Sequence, residues 1–418
     1  MSEFDYTLAT DFDRAWLNFE LDLPLRPSPN GAPNPFYIAR PGNPIGELVD
    51  ALMAPFYRPP KFFFSGHRGC GKSTELLHLM ANPGIQKKYW PINFSIREEA
   101  DIIDMDFRDI LLAIGSRMFR DYRKAGGKLP DQLLKELNGW RGKVEEEVKT
   151  IHSGRTGFEI GAGLDAFFAG TGLKMKLEPA TRAELRQVFE KDITGLIYVI
   201  NNIATAIYSK EHRIPLVLID DLDKPNLDEA RAIFHDRREI MMQPNCAIIY
   251  TVSSALFYTK EFEAIRDQAI FLPNIKLHPH REPDVREREG YQTLRRFVYV
   301  RMNPNLMDPQ ALEEAISYSG GVFREMARIM RTAIGRARRR KSARVEIIDV
   351  EWAATEIRNE YRRILDEGDI EILKRVHQQN RLEYDDRLRP LLQLLAILEY
   401  RNGENWCDIH PVLRRLIE

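Results

Sequence analysis

The 418-residue chain carries 61 Lys and Arg against 62 Asp and Glu, a net charge of −1, with 44% hydrophobic and 29% charged residues. That length leaves room for two or three domains of ~100–200 residues, and the near-neutral total argues against a chain wrapped in nucleic acid, while hiding local asymmetry. Charged residues or Pro interrupt every apolar run before it reaches a membrane span, the acidic start Met1-Ser2-Glu3-Phe4-Asp5 lacks a secretory signal, and Cys70, Cys246 and Cys407 match neither a disulfide framework nor zinc spacing. A cytoplasmic protein without a membrane partner is expected.

Residues 12–21 have the spacing of a short amphipathic helix. Residues 24–44 are crowded with Pro, Gly and Asn and read as an extended linker or a strap over the body. Helical spacing over 45–56 ends at Pro59-Pro60, and Lys61-Phe62-Phe63-Phe64 reads as a buried strand. Gly66-His67-Arg68-Gly69-Cys70-Gly71-Lys72-Ser73 follows and fits G-x-x-x-x-G-K-[ST], with a helical pattern from Thr74 to residue 80. This strand–loop–helix context is the one a phosphate-binding loop needs. Its glycines allow a tight turn that aims successive backbone N–H groups at a phosphate lying at the positive end of the helix. Lys72 would meet the β- and γ-phosphates of ATP, and the Ser73 hydroxyl would ligate Mg²⁺. Cys70, inside the loop, reads as inert filler, the alternative being a thiol whose oxidation would affect binding.

Residues 89–94 read as the next strand and 110–122 as a helix, so the alternation predicts a parallel sheet covered by helices. Residues 124–180 read as an insertion: a charged helix over 128–149, then a glycine-rich β-hairpin over 154–178. One long helix is expected over 181–208, followed by the strand Leu216-Val217-Leu218-Ile219 ending in Asp220-Asp221. Four consecutive apolar residues suit a strand buried on both faces. Asp220, at the edge where ligands bind in open α/β sheets, would hold the metal through its water shell. Asp221 would orient or deprotonate the attacking water, with Asp223 as a loop-capping residue. A further strand over 247–252 ends in Ser253-Ser254, whose hydroxyls read either as turn formers or as sensors of a γ-phosphate or water, and another strand is expected over 270–277.

Asp308-Pro309 starts a helix cleanly, and the next helix carries Met326, Ile329, Met330, Ala333 and Ile334 at core spacing. Its far end is basic, with Arg336, Arg338, Arg339, Arg340, Lys341 and Arg344, and reads either as a nucleic-acid contact or as a solvated face favoured by the helix dipole. Another helix is expected over 347–361 behind an Asp349 cap. The last segment gives helices over 369–377 and 387–392, a strand pair over 395–400 and 405–409 joined at Asn402-Gly403, and a final helix after His410-Pro411.

Together these residues carry a resemblance that covers roughly 36–418. The P-loop with Leu218-Ile219-Asp220-Asp221-Leu222-Asp223-Lys224 resembles the bacterial branch of the STAND and AAA+ ATPases, and is similar to KAP-type NTPases. Ser319-Gly320-Gly321-Val322-Phe323-Arg324-Glu325-Met326 resembles the start of the lid helix in these families and in origin-recognition ATPases. The resemblance implies that Arg324 turns towards the γ-phosphate, that residues 366–418 form a winged-helix-like module, and that His410 touches bound nucleotide in a resting state. It further implies a P-loop NTPase α/β fold over 45–285, a helical lid over 286–365, and an N-terminal arm over 1–44. Asp221 stands where these families carry Glu, Thr and Ser replace the sensor-1 residue, and only Arg266 and Arg281 are candidates for an arginine finger. Those departures favour a slow switch over continuous turnover. The expected function is therefore an ATP- and Mg²⁺-dependent regulatory ATPase acting as an assembly switch, as a homo-oligomer or with an effector protein, as in antiphage defence. The alternative is an ATP-dependent DNA-binding loader using the basic helix and the winged helix.

Overall fold

The computed structural model describes residues 4–23, 25–28, 31–151, 163–169, 178–224, 227–382 and 387–418. In chain order the elements that matter for the site begin with α1 (Phe12–Asn18), β1 (Lys61–Gly66), α2 (Lys72–Met80), β2 (Tyr89–Ser95), α3 (Phe107–Lys124) and α4 (Asp131–Ile151). Next come α5 (Pro179–Lys191), α6 (Ile193–Glu211), β3 (Ile214–Asp220), β4 (Ala247–Thr251) and β5 (Ala269–Leu272). The helices α7 (Arg288–Tyr299), α8 (Pro309–Tyr318), α9 (Phe323–Arg339), α10 (Ile347–Ile364), α11 (Glu367–Gln379) and α12 (Leu388–Gln393) follow. The strands β6 (Ile397–Asn402) and β7 (Glu404–Ile409) and the short α13 (Arg414–Ile417) complete the chain. It divides into two compact units, one of Leu48–Ser65 with Asn82–Ile270, the other of Met1–Glu47, Gly66–Ala81 and Phe271–Glu418.

The sheet has the order β2-β3-β4-β1-β5, and β2–β3, β3–β4 and β4–β1 all pair in parallel. Strand β4 therefore lies between the strand that leads into the P-loop and the strand that ends in Asp220. Residues 215–219 of β3 are all buried, as a strand covered on both faces requires. In the first unit, Phe63, Ile92, Val217 and Tyr250 share one core with Ile114 of α3 and Ile200 of α6. Each such buried side chain contributes about 1.5–3 kcal/mol relative to exposure. Helix α3 begins at a capping box, Asp106 accepting from the Arg108 N–H while Asp109 accepts from the Asp106 N–H.

The helix expected over 181–208 is two helices. Asp192 interrupts it with φ −127° and ψ 51°, and its carboxylate accepts the Gly195 N–H at 2.9 Å, so it serves as the N-cap of α6. The two runs of the expected hairpin near 158–160 and 173–177 lie outside the described residues, and between them Leu164, Phe167 and Phe168 are buried on a helical turn. The strand expected over 270–277 stops at Leu272. Pro273 cannot donate to a ladder, and beyond it the Ile275 N–H turns to Gly321 O at 3.1 Å. Helix α10 is capped by Glu346, with Asp349 in its third position as the reciprocal partner, rather than by Asp349 itself.

In the second unit the Asp308 carboxylate caps α8, with Pro309 at its first position. Helix α1 packs along α9, and α10 packs on α8 and α9. The C-terminal module is α11, α12, the antiparallel hairpin β6–β7 and α13, a winged-helix-like arrangement of helices followed by a hairpin. Leu395, Leu398, Tyr400 and Trp406 of the module form one apolar cluster with Val322, the residue before α9. Among the described residues, no helix is long and apolar enough to cross a membrane.

Candidate nucleotide site

Strand β1 is buried along its whole length and delivers the chain into the P-loop at Gly66. Gly69 has φ +82° and Gly71 φ +104°, backbone conformations that residues with a Cβ rarely adopt. Helix α2 begins directly after Gly71, so its first N–H groups and its positive end face the loop. Lys72 is buried, and its ammonium donates to the carbonyls of Gly66 at 2.8 Å and His67 at 3.1 Å. The lysine thus turns back into the loop that precedes it. Ser73 and Arg68 are exposed, Thr74 is half-buried, and Cys70 is a buried free thiol.

Three further segments of the same unit touch this loop. The first is the residue 24–44 stretch, which sequence composition marks only as a linker or strap. There the Arg40 guanidinium, buried over the Phe323 ring, donates to the carbonyls of Cys70 and Pro273. Tyr37 stacks on His78 of α2 with ring centres 3.8 Å apart, and its hydroxyl donates to Glu75 at 3.2 Å. Burial raises the Glu75 carboxyl above its usual range, with Arg40 opposing the shift. The signal for Tyr37 and Arg40 was present in the sequence: an aromatic pair with an Arg three residues on, inside an otherwise Pro- and Gly-rich run.

The second segment is α9. The Arg324 N–H donates to Gly69 O at 3.1 Å, and a Cβ on Gly69 would stand 2.4 Å from the Arg324 Cβ, so the arginine stem lies against the loop. Its guanidinium is paired with Asp22 at 2.5 Å. Gly321, at φ +78°, makes this placement possible, because a Cβ there would lie 1.7 Å from Ile275 O. The Gly-Gly step before α9 therefore lets the backbone press against the segment leaving β5.

The third segment is the C-terminal hairpin. The Glu399 N–H of β6 donates to Nε2 of His67 at 2.9 Å, which puts the ring proton on Nδ1. Burial, reinforced by the Lys72 charge, pushes the His67 ring down to about 3, so it is neutral at physiological pH. His410, the histidine that the resemblance implied would meet nucleotide, instead lies fully buried beside Tyr361. Its Nδ1 accepts the Val412 N–H at 3.4 Å, and its Nε2 stands 3.7 Å from Glu325. The histidine that joins the C-terminal module to the P-loop is His67, on the loop itself.

The other unit carries Asp220, Asp221 and Ser253 at or just beyond the C-terminal ends of its parallel strands. Asp220 ends β3, and one of its carboxylate oxygens accepts the Asp221 N–H at 2.8 Å. Asp221 sits at φ +65° and accepts the Ser95 hydroxyl at 2.6 Å, with Arg97 at 3.7 Å and Lys224 at 3.9 Å. A non-glycine residue held in that region costs of order 1–3 kcal/mol, so this turn is a strained one. Thr251 steadies it, donating to Ile219 O and accepting the Leu222 N–H, each at 3.1 Å. The Ser253 hydroxyl accepts the Ala255 N–H at 3.3 Å and caps the 3-10 turn that follows β4. Arg266 of this unit pairs with Glu263 and Asp267 and is largely exposed, while Arg281, in the unit of the P-loop, occupies a turn at φ +63°.

Each unit by itself offers oxygen donors, the ligand type that Mg²⁺ prefers, the Ser73 hydroxyl in one and the Asp220 carboxylate in the other. Among the described residues no cluster of three His, Cys, Asp or Glu side chains forms a metal cage. Four of the six cations at the basic end of α9 have carboxylate partners: Arg340 pairs with Asp349 and Glu346, Arg336 approaches Asp349 at 3.7 Å, Arg338 meets Asp13, and Arg344 meets Asp308, while Arg339 lies over the Trp352 ring.

No family model matches the chain, and no curated protein does. Solved structures do resemble it at low identity. The Aeropyrum pernix ORC2 protein in its ADP form is 12% identical with a TM-score of 0.44, covering 98% of this chain and 96% of that one. Cdc6p from Pyrobaculum aerophilum is 11% identical with a TM-score of 0.40, covering 92% and 95%. Drosophila ORC bound to DNA is 9% identical with a TM-score of 0.43, covering 100% and 94%. The assignment of a P-loop α/β fold rests on the parallel sheet and the glycine-shaped loop between β1 and α2.

Proposed function

We propose that the chain is an ATP-binding, slowly ATP-hydrolysing regulatory ATPase of the AAA+ and STAND type, whose nucleotide state controls a conformational or assembly switch. The observation that carries this reading is the convergence on one P-loop of three separate segments: the N-terminal stretch through Arg40, α9 through Arg324 and the C-terminal hairpin through His67. A loop that only bound phosphate would not need them. A loop held by all three can transmit what it binds to each of them.

In this reading the N–H groups of Gly69, Cys70, Gly71 and Lys72 cradle the phosphates, Lys72 leaves the Gly66 and His67 carbonyls for phosphate oxygens, and Arg324 acts as the lid cation. Ser73 would offer its hydroxyl and Asp220 its carboxylate to Mg²⁺, and the ion would supply neutralisation of charge on the phosphates. Asp221 positions or deprotonates the attacking water. The hydrogen bond from Ser95 to one carboxylate oxygen draws electron density from the base and restrains it, which together with the shorter reach of Asp favours slow turnover. The output is assembly with further copies or with an effector protein, antiphage defence being one such setting. The DNA-loader alternative rests mainly on the winged-helix-like module, since Arg336, Arg338, Arg340 and Arg344 of the basic helix already have carboxylate partners.

Calorimetric titration with ADP and with a non-hydrolysable ATP analogue in Mg²⁺ tests the reading. Lys72→Ala is expected to weaken nucleotide binding by about 100-fold or more, the loss of charge-assisted contacts inside a preformed site. Asp221→Asn is expected to bind as wild type and to lose turnover. A folded wild-type protein that binds neither nucleotide refutes the proposal.

A further inference from the structure

Helix α9 carries Arg324, Arg331 and Arg338 at seven-residue intervals, so their guanidinium groups form one stripe with about two helical turns between neighbours. The N-terminal arm runs along this stripe in the opposite chain direction and meets each arginine with a carboxylate. Asp13 pairs with Arg338, Glu20 with Arg331, and Asp22 with Arg324.

The arm up to Phe19 is fixed in the fold. The Ala9 N–H donates to Arg301 O at 3.1 Å, and the Asn18 side-chain amide donates to the same carbonyl at 2.7 Å. Trp16 lies under the Arg331 guanidinium at 3.6 Å, and Phe19 is fully buried against Phe297. Three residues beyond this anchor, the Asp22 side chain is 84% exposed. Solvent exposure means that packing does not hold it there, and the arginine is the partner it meets. Arg324 in turn is pinned at its backbone and stem to Gly69 of the P-loop, so only its guanidinium is free to change partner.

We propose that Asp22 is a specificity-determining residue. It holds the Arg324 guanidinium when no γ-phosphate takes it, and so lowers the affinity for ATP without changing that for ADP. The inference rests on the nucleotide reading above. Its logic is competition in cis. A ligand that needs a group already occupied binds in proportion to the fraction of molecules in which that group is released. ADP makes no demand on the lid cation and is indifferent to the competitor. Because the pair is exposed, the occupied state is favoured only modestly, and the expected effect on ATP is about two- to fivefold.

Calorimetric titrations of wild type, Asp22→Asn, Asp22→Lys, Arg324→Ala and the Asp22→Asn/Arg324→Ala double variant test it, with ADP and a non-hydrolysable ATP analogue as ligands. The Asp22→Asn variant should bind the ATP analogue about two- to fivefold more tightly and ADP as wild type does. The Asp22→Lys variant, which also repels Arg324, should shift further in the same direction. In the Arg324→Ala background the Asp22→Asn change should have no effect. Equal shifts for both nucleotides, no shift, or a shift that persists without Arg324 would each overturn the role of Asp22 while leaving nucleotide binding intact. Failure of the wild-type protein to bind either ligand would overturn the nucleotide reading and this inference with it.

Discussion

Replacing Gly69 by alanine isolates the junction between the P-loop and the helix that carries Arg324. Two costs add. Gly69 has φ +82°, and placing an L-residue in the left-handed region costs about 1–2 kcal/mol. The new Cβ would also stand 2.4 Å from the Arg324 Cβ, closer than such atoms approach, so α9 must move off the loop. That movement breaks the 3.1 Å hydrogen bond from the Arg324 N–H to Gly69 O, worth about 1 kcal/mol. The expected total is about 2–3 kcal/mol. Gly42→Ala is the matching control in the same unit, since Gly42 has φ +72° and nothing within 4 Å of an added Cβ. It carries the conformational cost alone. Urea unfolding of both variants should therefore separate them by about 1 kcal/mol. Titration with an ATP analogue should show weakened binding for Gly69→Ala and wild-type binding for Gly42→Ala. Equal destabilisation of the two variants, with unchanged nucleotide binding by Gly69→Ala, would refute the claim that loop and helix are mechanically joined at this glycine.

Two further outcomes follow from the geometry. His67 and His410 are both fully buried and both pushed down to about 3 from the ordinary 6.5, so they stay neutral in the folded chain while the unfolded chain protonates them below pH 6.5. The stability associated with the neutral rings is thus intact above pH 6.5 and is lost as the pH falls towards 3, at roughly 1.4 kcal/mol per pH unit per ring. The slope of unfolding free energy against pH between 6 and 4 should flatten in a His67→Gln/His410→Gln variant, and an unchanged slope would count against the burial argument. Ser95→Ala removes the 2.6 Å hydrogen bond to Asp221. It should raise single-turnover ATP hydrolysis with no change in nucleotide affinity, and a fall in turnover would show that Ser95 positions the carboxylate rather than restraining it.

Much of the candidate site was legible because its signals are local. The P-loop is eight consecutive residues between a strand and a helix, and the glycines that shape it act on their own backbone angles. Asp220 was found the same way, as the polar residue that ends a buried apolar run. The helix over 181–208 misled because apolar spacing continues through Asp192, while the break depends on one side chain capping the N–H of Gly195. Residues 24–44 misled for the opposite reason. Their composition marks a linker, yet Tyr37 and Arg40 make specific contacts with α2 and the P-loop. The basic helix end read ambiguously for want of its partners, which lie in the N-terminal arm and at or just ahead of α8 and α10.

By itself, then, the amino-acid sequence determined that a parallel sheet feeds a glycine-shaped phosphate loop, and that an aspartate ends a neighbouring buried strand. These are matters of periodicity, backbone freedom and spacing within a few residues. Tertiary structure alone decided what holds that loop. The Asp22–Arg324 pair joins positions 302 residues apart, and the Glu399–His67 hydrogen bond joins positions 332 apart. Nothing in local propensity encodes such pairs. They arise because packing of α1 on α9, and of the C-terminal hairpin on its own unit, brings distant polar groups within bonding distance after the apolar faces have found one another.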